Sequence, residues 1–124
     1  MTNYKDYSYF LFRVLVGLLF LQHGAQKLFG VLGGTKVQLV SLFGLAGIIE
    51  LFGGLMIALG LLTRLAALFG IADMVGAWFI VHVSQGWIPI LNKGELPLLF
   101  LACFLILIAY GPRKWSVDNL FFNK

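Results

Sequence analysis

The chain has one cysteine and little charge, and each shortage excludes a class of protein. Cys103 lies alone inside an apolar block, so neither an intrachain disulfide nor the CxxC pair of a membrane thiol oxidoreductase can form. It reads as a small buried hydrophobe. Charged residues make up 11% of the 124 positions against 60% hydrophobic, which rules out an ordinary soluble domain. The two histidines, His23 and His82, match no ligand spacing and have no carboxylate beside them, so no metal or haem site is expected. The net charge of +4 is spread thinly with no basic run, which argues for membrane topology and against nucleic-acid binding. The polar lead-in to Arg13, with no small-residue cleavage site after it, is not expected to be a secretory signal.

What the chain does have is apolar length. Four blocks, roughly 9–29, 39–62, 65–83 and 96–110, reach or approach the length a helix needs to cross ~30 Å of hydrocarbon at ~1.5 Å per residue. Little chain is left between them. The expectation is therefore one domain over residues 1–124: an all-α, integral membrane four-transmembrane-helix bundle in antiparallel up-down order, with the lipid bilayer as its first partner. Ser8 is a candidate cap for the first helix, and Asn92 with Glu95 three residues later is a candidate capping pair for the fourth. The turn Gly60-Leu-Leu-Thr-Arg64 is short enough only for a helical hairpin, and Gly111-Pro112 ends the last block. With four spans both termini share a side. That side gathers Lys5, Arg64, Arg113, Lys114 and Lys124, plus Arg13 just inside the first span, against Lys27, Lys36 and Lys93 on the other. The excess places both termini in the cytoplasm, and the second group reads as solvated interface lysines.

The polar residues inside the blocks carry the functional question. Glu50 is the only ionisable residue in 39–62, and its neighbours one turn away are Ala46, Gly47, Gly53 and Gly54. A carboxylate at that depth costs at least ~2.5–3.5 kcal/mol on insertion scales, so it needs a partner or a proton. The small neighbours let another helix approach closely enough to supply one. The segment 46–54 aligns without gaps on 69–77, both reading Gly-Ile-x-acid-apolar-x-Gly-small, so Asp73 has the same setting, with Gly70, Gly76 and Ala77 around it. Arg13 shares a strip of the first helix with Gly17 and Gly24. In the assumed topology Arg13 lies about 8 Å from the cytoplasmic end, Asp73 about 13 Å, Glu50 about 18 Å, Gln22 and His23 roughly 21–23 Å, and His82 near 27 Å. Gln26 falls one turn beyond Gln22.

Three readings of this ladder stay open. Arg13 and Asp73 pair, Glu50 takes a proton or a hydrogen bond from Gln22 or an imidazole, and the whole is a clasp that fixes helix register. Or Arg13, Glu50 and Asp73 form the polar centre of a site for a small ligand such as a quinone, with Gln22, His23, Gln26 and His82 toward its outer half. Or the ladder is a proton or ion path. Gly17, Gly47, Gly53, Gly54, Gly70 and Gly76 are the expected helix-packing positions, and they leave room for self-association into a homo-oligomer.

Taken in order, Arg13 with Gly17, His23-Gly-Ala-Gln-Lys-Leu28, Gly47-Ile-Ile-Glu50, Gly53-Gly54, Gly60-Leu-Leu-Thr-Arg64, Asp73-Met74, Asn92-Lys-Gly-Glu95 and Gly111-Pro112 with Trp115-Ser-Val-Asp118 resemble the DoxX family of small four-helix membrane proteins, over most of the chain. The resemblance implies a prokaryotic cytoplasmic membrane protein that supports redox chemistry as an oxidoreductase subunit with no self-contained catalytic motif. Family members have been linked to a thiosulfate:quinone oxidoreductase and to an oxidative-stress complex, which implies a soluble or membrane redox protein as partner. The family is also similar in fold to the vitamin K epoxide reductase bundle, whose paired cysteines this chain lacks. The resemblance carries over no catalytic residue. The alternatives are a non-catalytic scaffold or assembly partner and a proton or ion path.

Overall fold

The computed structural model describes residues 3–122, and among them every regular element is helical. Helix α1 spans Tyr4–Phe29, α2 Leu42–Leu59 and α3 Thr63–Ala77. The α3 rod continues through a π-helical turn, Trp78–His82, and a 3₁₀ turn, Val83–Gln85. Single-turn α4 (Pro89–Asn92), apolar α5 (Glu95–Tyr110) and short α6 (Val117–Phe121) follow. Three stretches, α1, α2 and Thr63–Gln85, are long and apolar enough to cross a membrane. The 16 residues of α5 rise about 24 Å, short of a ~30 Å hydrocarbon core. Lys124, one of the cations expected on the cytoplasmic side, lies outside the described residues.

The helix ends depart from expectation for local reasons. α1 starts ahead of Ser8 because Asn3 accepts from the Lys5 and Asp6 N–H groups at 3.0 and 3.2 Å while Asp6 accepts from the Asn3 N–H at 3.3 Å. Ser8 is followed three residues later by Leu11, which cannot close such a box. Block 39–62 shortens to Leu42–Leu59, since Ser41 caps the start (Gly44 N–H to Oγ, 3.0 Å) and left-handed Gly60 ends it. Asn92 does not cap α5. It is fully buried, its Oδ1 accepting from the Gly94 N–H at 2.7 Å and its Nδ2 donating to the Gly86 carbonyl at 2.8 Å, so it ties the two ends of the α4 turn together.

Helices α1 and α2 touch backbone to backbone. A methyl group added at Gly54 would stand 2.5 Å from the Gly17 carbonyl oxygen, and one at Gly24 would collide with the backbone at Leu51. Gly47 packs under the Lys27 and Leu28 side chains, and Gly70 faces the Phe104 ring at 2.7 Å from the same hypothetical carbon. Two other expected packing glycines do something else. Gly53 meets the Phe20 ring only at an ordinary 3.7 Å, and Gly76 has nothing within 4 Å. The core between the helices is aromatic: Phe20 lies 5.3 Å from Phe100 and 4.8 Å from Phe104, ring centre to ring centre, with Ile57, Ala67 and Leu107 buried beside them.

Candidate functional site

Arg13 does not pair with Asp73. Its guanidinium is 1% exposed and gives all five of its N–H donors to carbonyl oxygens: Ile57 (3.0 Å), Ala58 (3.3 Å), Pro112 (2.8 Å), Lys114 (3.2 Å) and Trp115 (2.8 Å). The first two acceptors belong to the last turn of α2, where carbonyls lack their usual i+4 partners and the helix dipole favours a cation; the Ile57 oxygen also accepts from the Gly60 N–H at 3.1 Å. The other three belong to the segment after α5. Around the same end, Tyr9 donates to the Gly111 carbonyl at 2.6 Å and Arg64 to the Ile108 carbonyl at 2.9 Å. Asp118 accepts from the Leu62 and Thr63 N–H groups at 2.7 and 3.0 Å and so caps α3 from a distant part of the chain. This knot joins α1, α2, α3 and the C-terminal segment, and it lies apart from the two carboxyls in the middle of the bundle.

Those carboxyls have a different counter-ion. The Lys27 ammonium sits 2.6 Å from Glu50 Oε1, with 27% of the lysine side chain exposed against 4% for the glutamate. Lys27 is thus not a solvated interface residue. It stands in the last turn of α1, and its four-carbon stem reaches past Gly47 toward the middle of α2. The Asp73 carboxyl lies within hydrogen-bonding reach of Glu50. Its Oδ2 is buried and meets no donor among the described residues. Three helices therefore bring one ammonium and two carboxyls to one point, and the smallness of Gly47 and Gly54 sets how closely α1 and α2 come together there.

A cavity of about 520 Å³ adjoins this centre, within the range of small-molecule sites. Phe20, Ile49, Met74, Ile80, Pro97 and Phe100 give it apolar walls, while His23, Lys27, Glu50 and Asp73 give it a polar region. Gly76 borders the same space, which explains why a methyl group there would touch nothing. His82 and the exposed Lys93 also line it. The His82 ring is fixed by its Nδ1, 2.9 Å from the Asn92 carbonyl oxygen. Since a carbonyl only accepts, Nδ1 carries the proton of that bond.

Of the residues expected at the site, Glu50, Asp73, His23 and His82 share the cavity, and Arg13, Gln22 and Gln26 do not line it. Gln22 is exposed, and Gln26 donates to the Leu32 carbonyl at 2.9 Å, bracing the loop after α1. Their amides lie on the side of α1 away from the two acids, where a four-residue spacing keeps them together. Lys27 and Lys93 are the functional candidates that sequence reasoning passed over. Lys27 had a signal: it falls four residues after His23, on the same helical face. No group of three or more metal-ligating side chains is assembled among the described residues.

Comparison with known proteins agrees with a membrane assignment. The DoxX family pattern matches residues 8–83. An uncharacterised protein of Haemophilus influenzae is 34% identical over 131 aligned residues, covering 100% of this chain and 98% of that one. The membrane protein Rv3486 of Mycobacterium tuberculosis is 30% identical, with 86% of this chain and 77% of its own length covered. CatD of Bacillus subtilis, whose name proposes an oxidoreductase, is 29% identical over 91% of this chain and 86% of its own length. No solved structure matches the chain. Pattern and relatives together make the chain a member of the DoxX family of membrane proteins.

Proposed function

We propose that this chain is the membrane subunit of a redox system and binds a quinone-type ligand in the cavity beside Lys27, Glu50 and Asp73. One observation carries the reading: a ligand-sized space with apolar walls ends on three ionisable side chains contributed by three helices. Apolar walls suit a lipophilic ring, and a carboxyl pair beside an ammonium can take or give a proton as such a ring changes oxidation state. The chain's part is to bind and orient the ring and to exchange protons with it. Electrons come from or go to a soluble or membrane protein partner, which fits the oxidoreductase name of CatD.

The same proposal takes the molecule as one four-helix transmembrane domain of antiparallel helices. Gly17 opposite Gly54 and Gly24 opposite Leu51 support opposed directions for α1 and α2. In this arrangement α5 spans a locally thinned bilayer, both termini are cytoplasmic, and the exposed apolar faces meet lipid or a second copy in the prokaryotic cytoplasmic membrane. The test is thermal unfolding of the purified protein with short-tail quinone analogues. Stabilisation that rises with ligand concentration is expected, and its absence with every analogue sinks the reading.

A scaffold role is the second reading, favoured by the 2.6 Å Lys27–Glu50 pair, which fastens α1 to α2. It predicts no ligand-dependent stabilisation and a loss of helix association in Glu50→Leu. A third, a proton or ion path, predicts gradient-driven flux in sealed proteoliposomes.

A further inference from the structure

The cavity beside Lys27, Glu50 and Asp73 is walled by α1, α2, the α3 rod and α5, and these helices are not packed evenly around it. α2 packs chiefly on α1 and α3 chiefly on α5, while α2 and α3 are joined by the hairpin at Gly60. Away from that hairpin the cavity lies between them. Its walls take the first half of α2, from Leu42 to Glu50, and the second half of the α3 rod, from Ala72 to His82.

Helical phase locates the side on which this space is open. On α2, Gly47 and Gly54 face α1. Leu45 lies about 160–180° round the helix from both, on the side turned away from α1. It is exposed and yet lines the cavity. On α3, Gly70 faces the Phe104 ring of α5. Ala72 lies about 160° round from Gly70, and it too is exposed and lines the cavity. Each helix thus carries a cavity wall round to its outward side. Between those edges is a slot, bounded by Leu42, Leu45 and Ile49 on α2 and by Ala72, Gly76 and Ile80 on α3. Counted from the hairpin at ~1.5 Å per residue, it runs from about 14 Å, where Ile49 and Ala72 have equal rise, to about 25 Å, where Leu42 and Ile80 do. No polar side chain stands on either edge. Both flanking stretches are long and apolar enough to cross a membrane, so the slot opens on hydrocarbon.

The inner end of the cavity and the slot therefore differ in chemistry. The inner end offers Lys27, Glu50 and Asp73, which suit a polar ring, whereas an alkyl chain passing through the slot keeps apolar surroundings throughout. A space of about 520 Å³ is the room one drug-sized molecule takes, so a long polyprenyl chain cannot be enclosed together with its ring. The far end of the cavity carries His82 and exposed Lys93, which favour water over a tail.

We propose that the ligand is a long-tailed, membrane-dissolved quinone that enters sideways from the lipid, its ring seated toward Lys27, Glu50 and Asp73 and its tail leaving between α2 and α3. This rests on the ligand reading above and adds the tail as a recognised part of the ligand and the helix gap that passes it. Ala72 and Gly76 act as specificity residues because their smallness keeps the slot open. A carbon added at Gly76 would have nothing within 4 Å.

The experiment uses a decyl-substituted benzoquinone carrying a photoactivated diazirine at the end of its tail. It is irradiated with the full chain in lipid nanodiscs, and labelled residues are read by peptide mass spectrometry. The expected result is label on segments 42–49 and 72–80 that an excess of unlabelled decyl-benzoquinone removes. Competable label found only on other segments, such as 93–97, or bound probe that labels neither slot segment, overturns the route and leaves the ligand reading standing. Calorimetry on Ala72→Trp adds a second measurement, since the new ring starts from an exposed position and spares the core. It should weaken the decyl analogue about tenfold and tailless benzoquinone less than about twofold, because only the tail loses its apolar contacts. Equal weakening of the two, or of neither, overturns the route, and the labelling of wild type decides alone should the variant fail to fold. Absence of binding by decyl and tailless forms alike in wild type overturns the route and the ligand reading together.

Discussion

One end of this bundle and its middle bury charge in opposite ways. Arg13 satisfies every donor it has on five carbonyls, and it does not line the large central cavity. Lys27, Glu50 and Asp73 bury charge as well, but one carboxyl oxygen is left without a donor and a 520 Å³ space adjoins it. A buried charge in a membrane protein therefore does not by itself mark a working site. The sign of one is a valence left unmet beside open volume. Arg13, equally costly to insert, reads as a brace.

Substitutions can break this contrast from either side. The largest effect is expected for Arg13→Ala, which takes a donor from five carbonyls at once; a loss of about 3–5 kcal/mol should appear as aggregation or a steep fall in thermal unfolding temperature in detergent. Survival of a monodisperse, well-folded Arg13→Ala protein would show that the knot is not a brace. Next comes Gly54→Ala, whose new carbon would stand 2.5 Å from the Gly17 carbonyl oxygen. Backbone must move, and roughly 2–3 kcal/mol of destabilisation is expected by the same measurement. Asp118→Ala removes the cap on α3 and should cost about 1–2 kcal/mol, with earlier amide exchange in the first turn of α3 as its specific mark.

On the other side the effects on folding shrink while those on binding grow. Glu50→Gln keeps shape and leaves Lys27 able to swing toward solvent, so stability should change by about 1 kcal/mol or less. Quinone-analogue binding, read by thermal shift, should fall about tenfold. A drop in stability as large as that of Arg13→Ala would move Glu50 into the bracing class. The smallest structural effect belongs to Gly76→Ala, which fills empty space and gains helix propensity. Its unfolding temperature should hold or rise slightly, with weaker binding of the analogue as the only loss.

Much of the bundle was legible because lipid permits few solutions. Long apolar blocks announced α1, α2 and the α3 rod, and an acid flanked by Gly and Ala one turn away singled out Glu50 and Asp73. The errors have common physical sources. Depth along a helix was reckoned from helix ends, and this separated Lys27 from Glu50. A lysine stem several ångströms long and the close α1–α2 approach bridged that gap. Arg13 was matched with the nearest acid because side-chain partners are visible in a sequence, whereas carbonyl partners are not: every residue has one. The same blindness hid Asp118, whose partners are two backbone N–H groups, and turned Asn92 from a tie between loop ends into a supposed helix cap.

The Arg13 knot also has an order in time. Two of its acceptors lie about 44 residues along the chain and the other three about 100. A ribosome adding residues one by one delivers α1 to the membrane with its guanidinium unclaimed, offers it the end of α2 next, and supplies the remaining carbonyls only after α5 has emerged. Until then this arginine must be kept near water or lipid phosphate. Seating of α1 at its final depth is thus deferred to the end of synthesis, and a polypeptide arrested before residue 112 should hold its first helix shallower in the bilayer than the finished protein does.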